Sequence, residues 1–379
     1  MIAACLLHAW AIQRTTPPPV TCPPGFVTLD SSASVQETHP LFETGFASPS
    51  TWPMVHSSSV CALPERRMGA VWYAGSREGG KDVAIYFTEL STGSGGQWSD
   101  PVPVVTRKSA SEELGRYVKK VGNPIIFRMS GQEIGLVYAS VSVGGWSGSS
   151  LNLKKSRDGG RTWSPSVRLT LSPFLNVSEL VRTSPLPLRG GGLAIPIYHE
   201  FLGRFPEILW LFSDGGDGGL MVGKTRMCGG REFIQPSIVP LDGDSAVAFY
   251  RDMSSRRSIA MAETSDGGLT WSRPRTIDLP NPNASIHALP LSTGHILMAF
   301  NDSKRTRENL KLAVSKDGGL TWTHIATLED TPGAEFSYPT LARDGDGRIH
   351  LVYTWRRNRI KHAVFNEAWI EGQLKGISW

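Results

Sequence analysis

The sequence is decided by one octet that returns three times: Ser156-Arg157-Asp158-Gly159-Gly160-Arg161-Thr162-Trp163, Thr264-Ser265-Asp266-Gly267-Gly268-Leu269-Thr270-Trp271 and Ser315-Lys316-Asp317-Gly318-Gly319-Leu320-Thr321-Trp322. Ser91 to Trp98 is a degenerate copy, and Phe212-Ser213-Asp214-Gly215-Gly216 keeps only the turn. Such an octet is a tight hairpin: the Asp side chain accepts from backbone a few residues on, and Gly supplies the positive φ. The third position of each copy falls at 93, 158, 214, 266 and 317, giving intervals of 65, 56, 52 and 51. Between the turns run alternating stretches such as Val83–Phe87, Ala246–Tyr250 and His295–Phe300, which read as strands. A period near fifty residues with about four strands per repeat is the signature of a propeller. Five turns plus a last unit around residues 335–365 predict an all-β chain: a six-bladed β-propeller of four-stranded antiparallel blades, with the five turns on one face.

Composition agrees. With 40 Gly and 26 Pro in 379 residues, the chain is too punctuated for a helical bundle. Its 40% hydrophobic content and 12 Trp supply a core and exclude wholesale disorder. The formal charge of +5 comes without a dense Lys/Arg block, so no nucleic-acid partner is expected, and anionic small molecules or polysaccharides are. Cys5, Cys22, Cys61 and Cys228 have no metal-binding spacing and offer at most one disulfide. Residues 1–24 are set apart as an apolar, then Pro-rich segment, leaving 25–379 as one propeller domain. Met1–Ile12 is too short to span a bilayer, which takes roughly 20 residues, and lacks a basic start. It reads as an export remnant, a membrane tether or a frayed strand. The expected setting is therefore the cell envelope, periplasm or exterior, with the cytoplasm left open.

The octet resembles the Asp-box of the sialidase (neuraminidase) superfamily, and over roughly residues 50–365 the chain is similar to the bacterial predicted-neuraminidase group of BNR-repeat proteins. The matching stretches are Gly75–Ile85, Gly122-Asn123-Pro124, Ile195–Glu200, Ile234-Gln235-Pro236, Leu279–Asn283, Ser337-Tyr338-Pro339 and Tyr353–Arg357 with Ile360–His362. Several are polar and fall in loops, where function concentrates. Relatives on similar propellers include uronate-polysaccharide lyases and a rhamnosidase, so the fold leaves the chemistry open.

The resemblance implies a site residue by residue. Sialidases grip the substrate carboxylate with three arginines, whose forked guanidinium matches it, and use a Tyr nucleophile helped by a Glu, with an Asp as acid/base. Tyr338 stands in the nucleophile's place. Arg307 or Arg305 suits the third arginine, Arg251 the second, and Asp82, five residues after Arg77, the acid/base. Two positions depart from the pattern. The first arginine is replaced by the stretch Val55-His56-Ser57-Ser58, and the Glu aligns with Gln235, which cannot accept a proton. If Tyr338 is the nucleophile, a carboxylate from Glu200 or Glu232 is expected at its hydroxyl; Glu335 points the wrong way in a regular strand. Asn123, Asn283, Tyr198 and His199 complete the candidate site, and Arg357, Lys361 and His362 read as staples of the closing blade.

The expected function is a sialidase-like exo-glycoside hydrolase that removes a terminal anionic sugar from a glycan. Two alternatives stay open. One is a uronate-polysaccharide lyase using His56 or His199 with Tyr198 or Tyr338 as base and acid; a Tyr338 surrounded only by His and Arg favours it. The other is a non-catalytic glycan-binding propeller. No organic cofactor or metal is expected, because nucleotide loops, ligand clusters and EF-hand spacing are missing, and the chain is expected to be a monomer.

Overall fold

The computed structural model describes residues 20–21, 23–29, 39–48, 51–93, 96–129, 131–171, 176–213 and 220–376. Six antiparallel sheets follow one another along the chain as blades of a ring. The inner strands of blades 1, 2, 4, 5 and 6 are Met54–Leu63, Lys120–Arg128, Phe233–Pro240, His287–Pro290 and Phe336–Arg343. In blade 3 the inner strand is split into Glu179–Val181 and Leu186–Pro187, both paired with Leu193–His199. The predicted six-bladed propeller is the observed one.

One strand comes from outside the repeat. Phe42–Phe46 pairs with Arg359–Phe365, so the N-terminal side of the ring supplies the outer strand of blade 6. Among the described residues helix is confined to two short segments and a single 3₁₀ turn: α1 (Arg107–Glu113) and α2 (Glu367–Leu374), the latter stacking Trp369 on Phe42 at 4.6 Å. Among the described residues no helix is long and apolar enough to cross a membrane. The apolar stretch Met1–Ile12, with Cys5, and Cys22 lie outside the described residues; Cys61 and Cys228 are free thiols.

Strand direction sorts the two faces. Each inner strand starts at what we call the upper face, so the turn between third and fourth strands, where the octets sit, falls on the lower face. The three copies make the same bonds. In the first, the Ser156 hydroxyl and Thr162 amide both donate to Asp158 Oδ1, at 2.8 and 2.9 Å, and Trp163 Nε1 donates to the Gly160 carbonyl at 3.0 Å. Asp266 and Asp317 repeat this, with Trp271 and Trp322 bonded to Gly268 and Gly319 at 3.0 Å. The second glycine is needed for space as well as for its positive φ. A Cβ on Gly160 would meet the Phe87 ring at 2.4 Å, and one on Gly319 the Phe249 ring at 2.7 Å. Each turn is thus pressed against the preceding blade, away from the axis. The degenerate copies at Ser91–Trp98 and Phe212–Gly216 fall partly outside the described residues.

Candidate active site

The upper face is built by strained backbone. Non-glycine residues in left-handed conformations stand in or just before the inner strand of every blade: Ser57 (φ 55°), Asn123 (46°), Asn176 (46°) and Ser178 (80°), Gln235 (54°), Asn283 (59°) and Tyr338 (55°). Asn tolerates this region; Gln and Tyr do not, and each such residue costs about 1–3 kcal/mol. In blades 1, 2, 4 and 6 the residue sits in a two-residue bulge. In three of them the partner is a proline, Pro124, Pro236 or Pro339, whose missing N–H suits a position without a ladder bond. The bulge turns the side chain toward the axis and leaves carbonyls that need new donors.

Arg182 and Thr183, in the gap of blade 3's split strand, supply them. Arg182 donates to Ser58 O (2.8 Å), Tyr338 O, Pro339 O (3.2 Å) and the Thr340 hydroxyl (3.1 Å), and Thr183 to Pro236 O. The guanidinium is buried and has no acidic partner, so burial lowers its pKa to about 10, which leaves it charged at neutral pH. Its Cζ lies 5.0 Å from the centre of the Tyr338 ring.

Tyr338 meets His56 edge to face at 4.5 Å, with Arg307 Cζ 5.8 Å from its ring. Burial, then the charges of Arg357, Arg307, Arg182 and Arg251, hold the His56 imidazole well below its usual pKa, so it is neutral; its buried Nδ1 has no partner. Tyr73 and Tyr198 face the same space, both with phenols pushed up, chiefly by burial.

A belt of polar contacts then runs round the upper rim through all six blades. Gln235 Nε2 donates to the Tyr198 hydroxyl at 3.2 Å, and its Oε1 accepts from Arg251 at 3.2 Å. Arg251 Nε donates to Asn283 Oδ1 at 2.6 Å, and Arg307 to the Asn283 carbonyl at 2.9 Å. Glu335 takes Arg307 and Arg357 at 3.5 Å each; Arg357 reaches Glu78 at 2.9 Å, and Trp146 Nε1 donates to Glu78 at 3.2 Å. Three arginines on blades 4, 5 and 6 therefore share one mouth, where a bound carboxylate would compete with Glu335 and Glu78 for the ion-paired Arg307 and Arg357 and with the nearby Glu200 for Arg251.

The anticipated residues divide accordingly. Tyr338, His56, Arg251, Arg307, Gln235, Asn283 and Tyr198 come together. Asn123 occupies its blade's strained position, half-buried and without a side-chain hydrogen bond among the described residues. Glu200 faces Arg251 and Tyr198, and burial raises its pKa. Neither anticipated carboxylate bonds the Tyr338 hydroxyl, which has no hydrogen bond among the described residues. Glu232 is instead paired with Arg256. Asp82 is fully exposed and braces its own loop through the Ser76 amide (2.7 Å) and hydroxyl (2.8 Å), which lower its pKa. Arg77 and Arg305 are exposed on the surface.

His199 points to the other face of the strand from Tyr198, as neighbours in a strand must. It stacks on Phe205 at 4.7 Å and accepts from the Leu202 amide. There it joins Glu179 and Glu207, whose ligand atoms and its own lie within 4.8 Å of one another. The Lys224 ammonium already fills that cluster, at 2.7 Å from Glu179 and 3.3 Å from Glu207. Burial and Glu179 raise the Glu207 carboxyl to about 7. Sequence reading missed Arg182, Tyr73, Glu78 and Trp146 as site residues, and took Arg357 for a staple.

A family model described as a BNR repeat-like domain matches residues 66–351. The chain is 24% identical over 265 residues to an anhydrosialidase of Macrobdella decora, covering 60% of this chain and 33% of that protein. It is 28% identical over 243 residues to a sialidase of Micromonospora viridifaciens, covering 58% and 36%. It thus spans about a third of the length of these curated relatives. Among solved structures, a Hadza microbial sialidase aligns with TM-score 0.66 at 19% identity, over 86% of this chain and 67% of that one. An intramolecular trans-sialidase of Ruminococcus gnavus, in complex with oseltamivir carboxylate, aligns with TM-score 0.64 at 16% identity, over 89% and 98%. These structural likenesses speak for the fold. The family match covers the greater part of the chain, which belongs to the BNR repeat-like family of the sialidase superfamily.

Proposed function

We propose that this protein is an exo-acting glycoside hydrolase that removes a terminal carboxylated sugar, a sialic or related acid, from a glycan. The observation that carries the reading is the convergence of Arg251, Arg307 and Arg357 on the mouth over Tyr338. Forked guanidinium groups hold a carboxylate in a fixed plane, and the half-buried setting strengthens that grip over its value in water. Gln235 contributes by what it lacks. A carboxylate there would neutralise Arg251, whereas the amide accepts one bond and leaves the charge for the substrate. In this reading Tyr338 attacks the anomeric carbon as the glycosidic bond breaks, its proton passes through water to Glu200, the carboxylate beside Tyr198 and Arg251, and the leaving glycan oxygen takes a proton from water; a second water then cleaves the tyrosyl–sugar bond. The sialidase names of the relatives point the same way.

One observation favours a second reading. The rings and cations against Tyr338 are His56, Arg182 and Arg307, and no carboxylate bonds its hydroxyl among the described residues. Neutral His56 then removes the C5 proton of a uronate whose carboxylate the arginines polarise, the C4–O bond breaks, and the Tyr338 hydroxyl protonates the leaving oxygen. The test is product analysis on sialyl glycans and on uronate polysaccharides. Release of the free acidic sugar, without new ultraviolet absorbance, is expected of the hydrolase. An unsaturated, absorbing product replaces this reading with the lyase, and binding without any product leaves a lectin.

A further inference from the structure

The mouth of the site is charged on one side and apolar on the other. Four of the five most exposed large apolar side chains among the described residues gather on the upper face of blades 2 and 3: Val143 (79% exposed), Leu202 (77%), Tyr117 (64%) and Phe201 (58%). Val143 is on the loop joining the second and third strands of blade 2, and Phe201 and Leu202 are on the equivalent loop of blade 3. The two loops are tied at their bases: Ser178 N donates to Ser149 O at 2.7 Å and Glu200 N to the Ser178 hydroxyl at 2.9 Å. Tyr117 belongs to the same patch, because its carbonyl accepts from Ser142 next to Val143, at 2.6 Å.

Exposed cations flank these tips. Lys119 reaches the Gly144 carbonyl at 3.2 Å, Arg204 follows Leu202 by two residues, and the stem of Arg231 lies against Gly203, where a Cβ would be 3.5 Å from its Cγ. None of the three is in an ion pair among the described residues. The acids nearby are already engaged: Glu112 with Lys108, Glu113 with Lys154 and Glu78 with Arg357, while Glu200 is shared between the charges of Arg251 and Arg204 without an ion pair to either, which leaves Lys119 and Arg231 as the cations with no acidic neighbour among those named. Protruding apolar side chains on separate loops, ringed by unpaired Lys and Arg, match the requirements of an anionic lipid surface. Such a surface takes in the tips below its headgroups and attracts the cations.

We infer that the upper face of blades 2 and 3 docks on an anionic lipid surface, so that the arginine-lined mouth opens toward glycans carried by that surface. The inference stands on the exposed side chains and is independent of the proposed reaction.

Co-sedimentation with vesicles tests it directly. One set is phosphatidylcholine alone; in the other about a third of the lipid is phosphatidylglycerol, which supplies the negative surface potential. The wild-type protein is expected to sediment with the anionic vesicles, to be released by high salt and to bind the neutral ones far less. The triple variant Val143→Ser, Phe201→Ser, Leu202→Ser is expected to lose roughly tenfold or more in partitioning, with an unchanged circular dichroism spectrum. Val167→Ser removes an equally exposed residue (61%) from the outer strand of blade 2 and is expected to change nothing. Sedimentation with neither vesicle type overturns the inference and turns the patch toward a protein partner. Equal binding to both types, full retention in the triple variant, or an equal loss in Val167→Ser overturns it as well.

Discussion

The two faces of the propeller handle repetition in opposite ways. On the lower face three octets repeat one hydrogen-bond pattern nearly atom for atom, and each locks a turn against the preceding blade. On the upper face the bulges of blades 1, 2, 4 and 6 repeat only in backbone. Their left-handed residues are Ser57, Asn123, Gln235 and Tyr338: Gln235 bridges Tyr198 and Arg251, Tyr338 packs against His56, and Asn123 makes no side-chain hydrogen bond among the described residues. Where every blade needs the same mechanical part, the residues converge. Where one asymmetric ligand must be met from six directions, they diverge. Conserved conformation with divergent chemistry thus marks the site more sharply than any motif does.

Substitutions on each face can break that contrast. The largest effect is expected from Tyr338→Phe, which should lower turnover on the cognate carboxylated glycan by about 10²–10⁴-fold, the usual range for a lost catalytic group. Its hydroxyl has no hydrogen bond among the described residues, so the urea midpoint should stay put; a shifted midpoint would make it a structural residue. Next comes Arg182→Ala. It leaves the Tyr338 and Pro339 carbonyls without their Arg182 donor, while Ser58 O keeps the Thr340 hydroxyl, and should cost about 3 kcal/mol or more in chemical denaturation, because each buried unsatisfied group costs ~1–3 kcal/mol. A near-neutral result would remove Arg182 as the pin of the bulges.

Arg251→Ala, Arg307→Ala and Arg357→Ala should each weaken binding of a carboxylated sugar by about 1.5–3 kcal/mol, measured calorimetrically, as for charge-assisted hydrogen bonds. Unchanged affinity in any one returns that arginine to a bracing role. The smallest effect belongs to the lower face. Asp266→Ala should cost on the order of 1 kcal/mol of stability, as for a lost turn cap, and leave binding and turnover unchanged.

A pH titration sharpens the same point. Bonds from Thr162 and Thr321 hold Asp158 and Asp317 at about 2, below the ordinary carboxylate value. A depressed folded-state pKa stabilises above the unfolded value, near ~3.9, so their contribution is present at neutral pH and lost as pH falls through about 2. Removing both aspartates should therefore flatten the acid limb of the stability curve without shifting the pH profile of binding. A shifted binding profile would couple the two faces.

The fold was legible because the octet is a local device, with turn chemistry and blade period both written in contiguous residues. The site was legible where it borrowed the same frame: Asn123, Gln235 and Tyr338 stand at matching bulges of blades 2, 4 and 6. Arg357 escaped because its relevance depends on ring closure. It follows the second strand of the last blade, yet it lies beside Glu78 of the first, 279 residues earlier. Arg182 carries no periodic signal at all; it is required only by carbonyls that bulges in other blades leave free. His199 was misjudged against simple alternation, since Tyr198 and His199 cannot both face the axis. Asp82 has the right spacing from Arg77, but a short loop uses that carboxylate to cap its own Ser76.

The strand Phe42–Phe46 carries a consequence for how the molecule is made. Its partner runs to Phe365, so during synthesis this edge leaves the ribosome before any of the residues that will pair with it. At about 5–20 residues per second, it waits on the order of tens of seconds with unpaired amides and carbonyls. Every other blade can zip up from neighbouring hairpins as it emerges, whereas the last closes only when the two ends of the ring meet. Nascent chains stalled before the final blade should be the form most exposed to edge-to-edge association, and the form most in need of a chaperone.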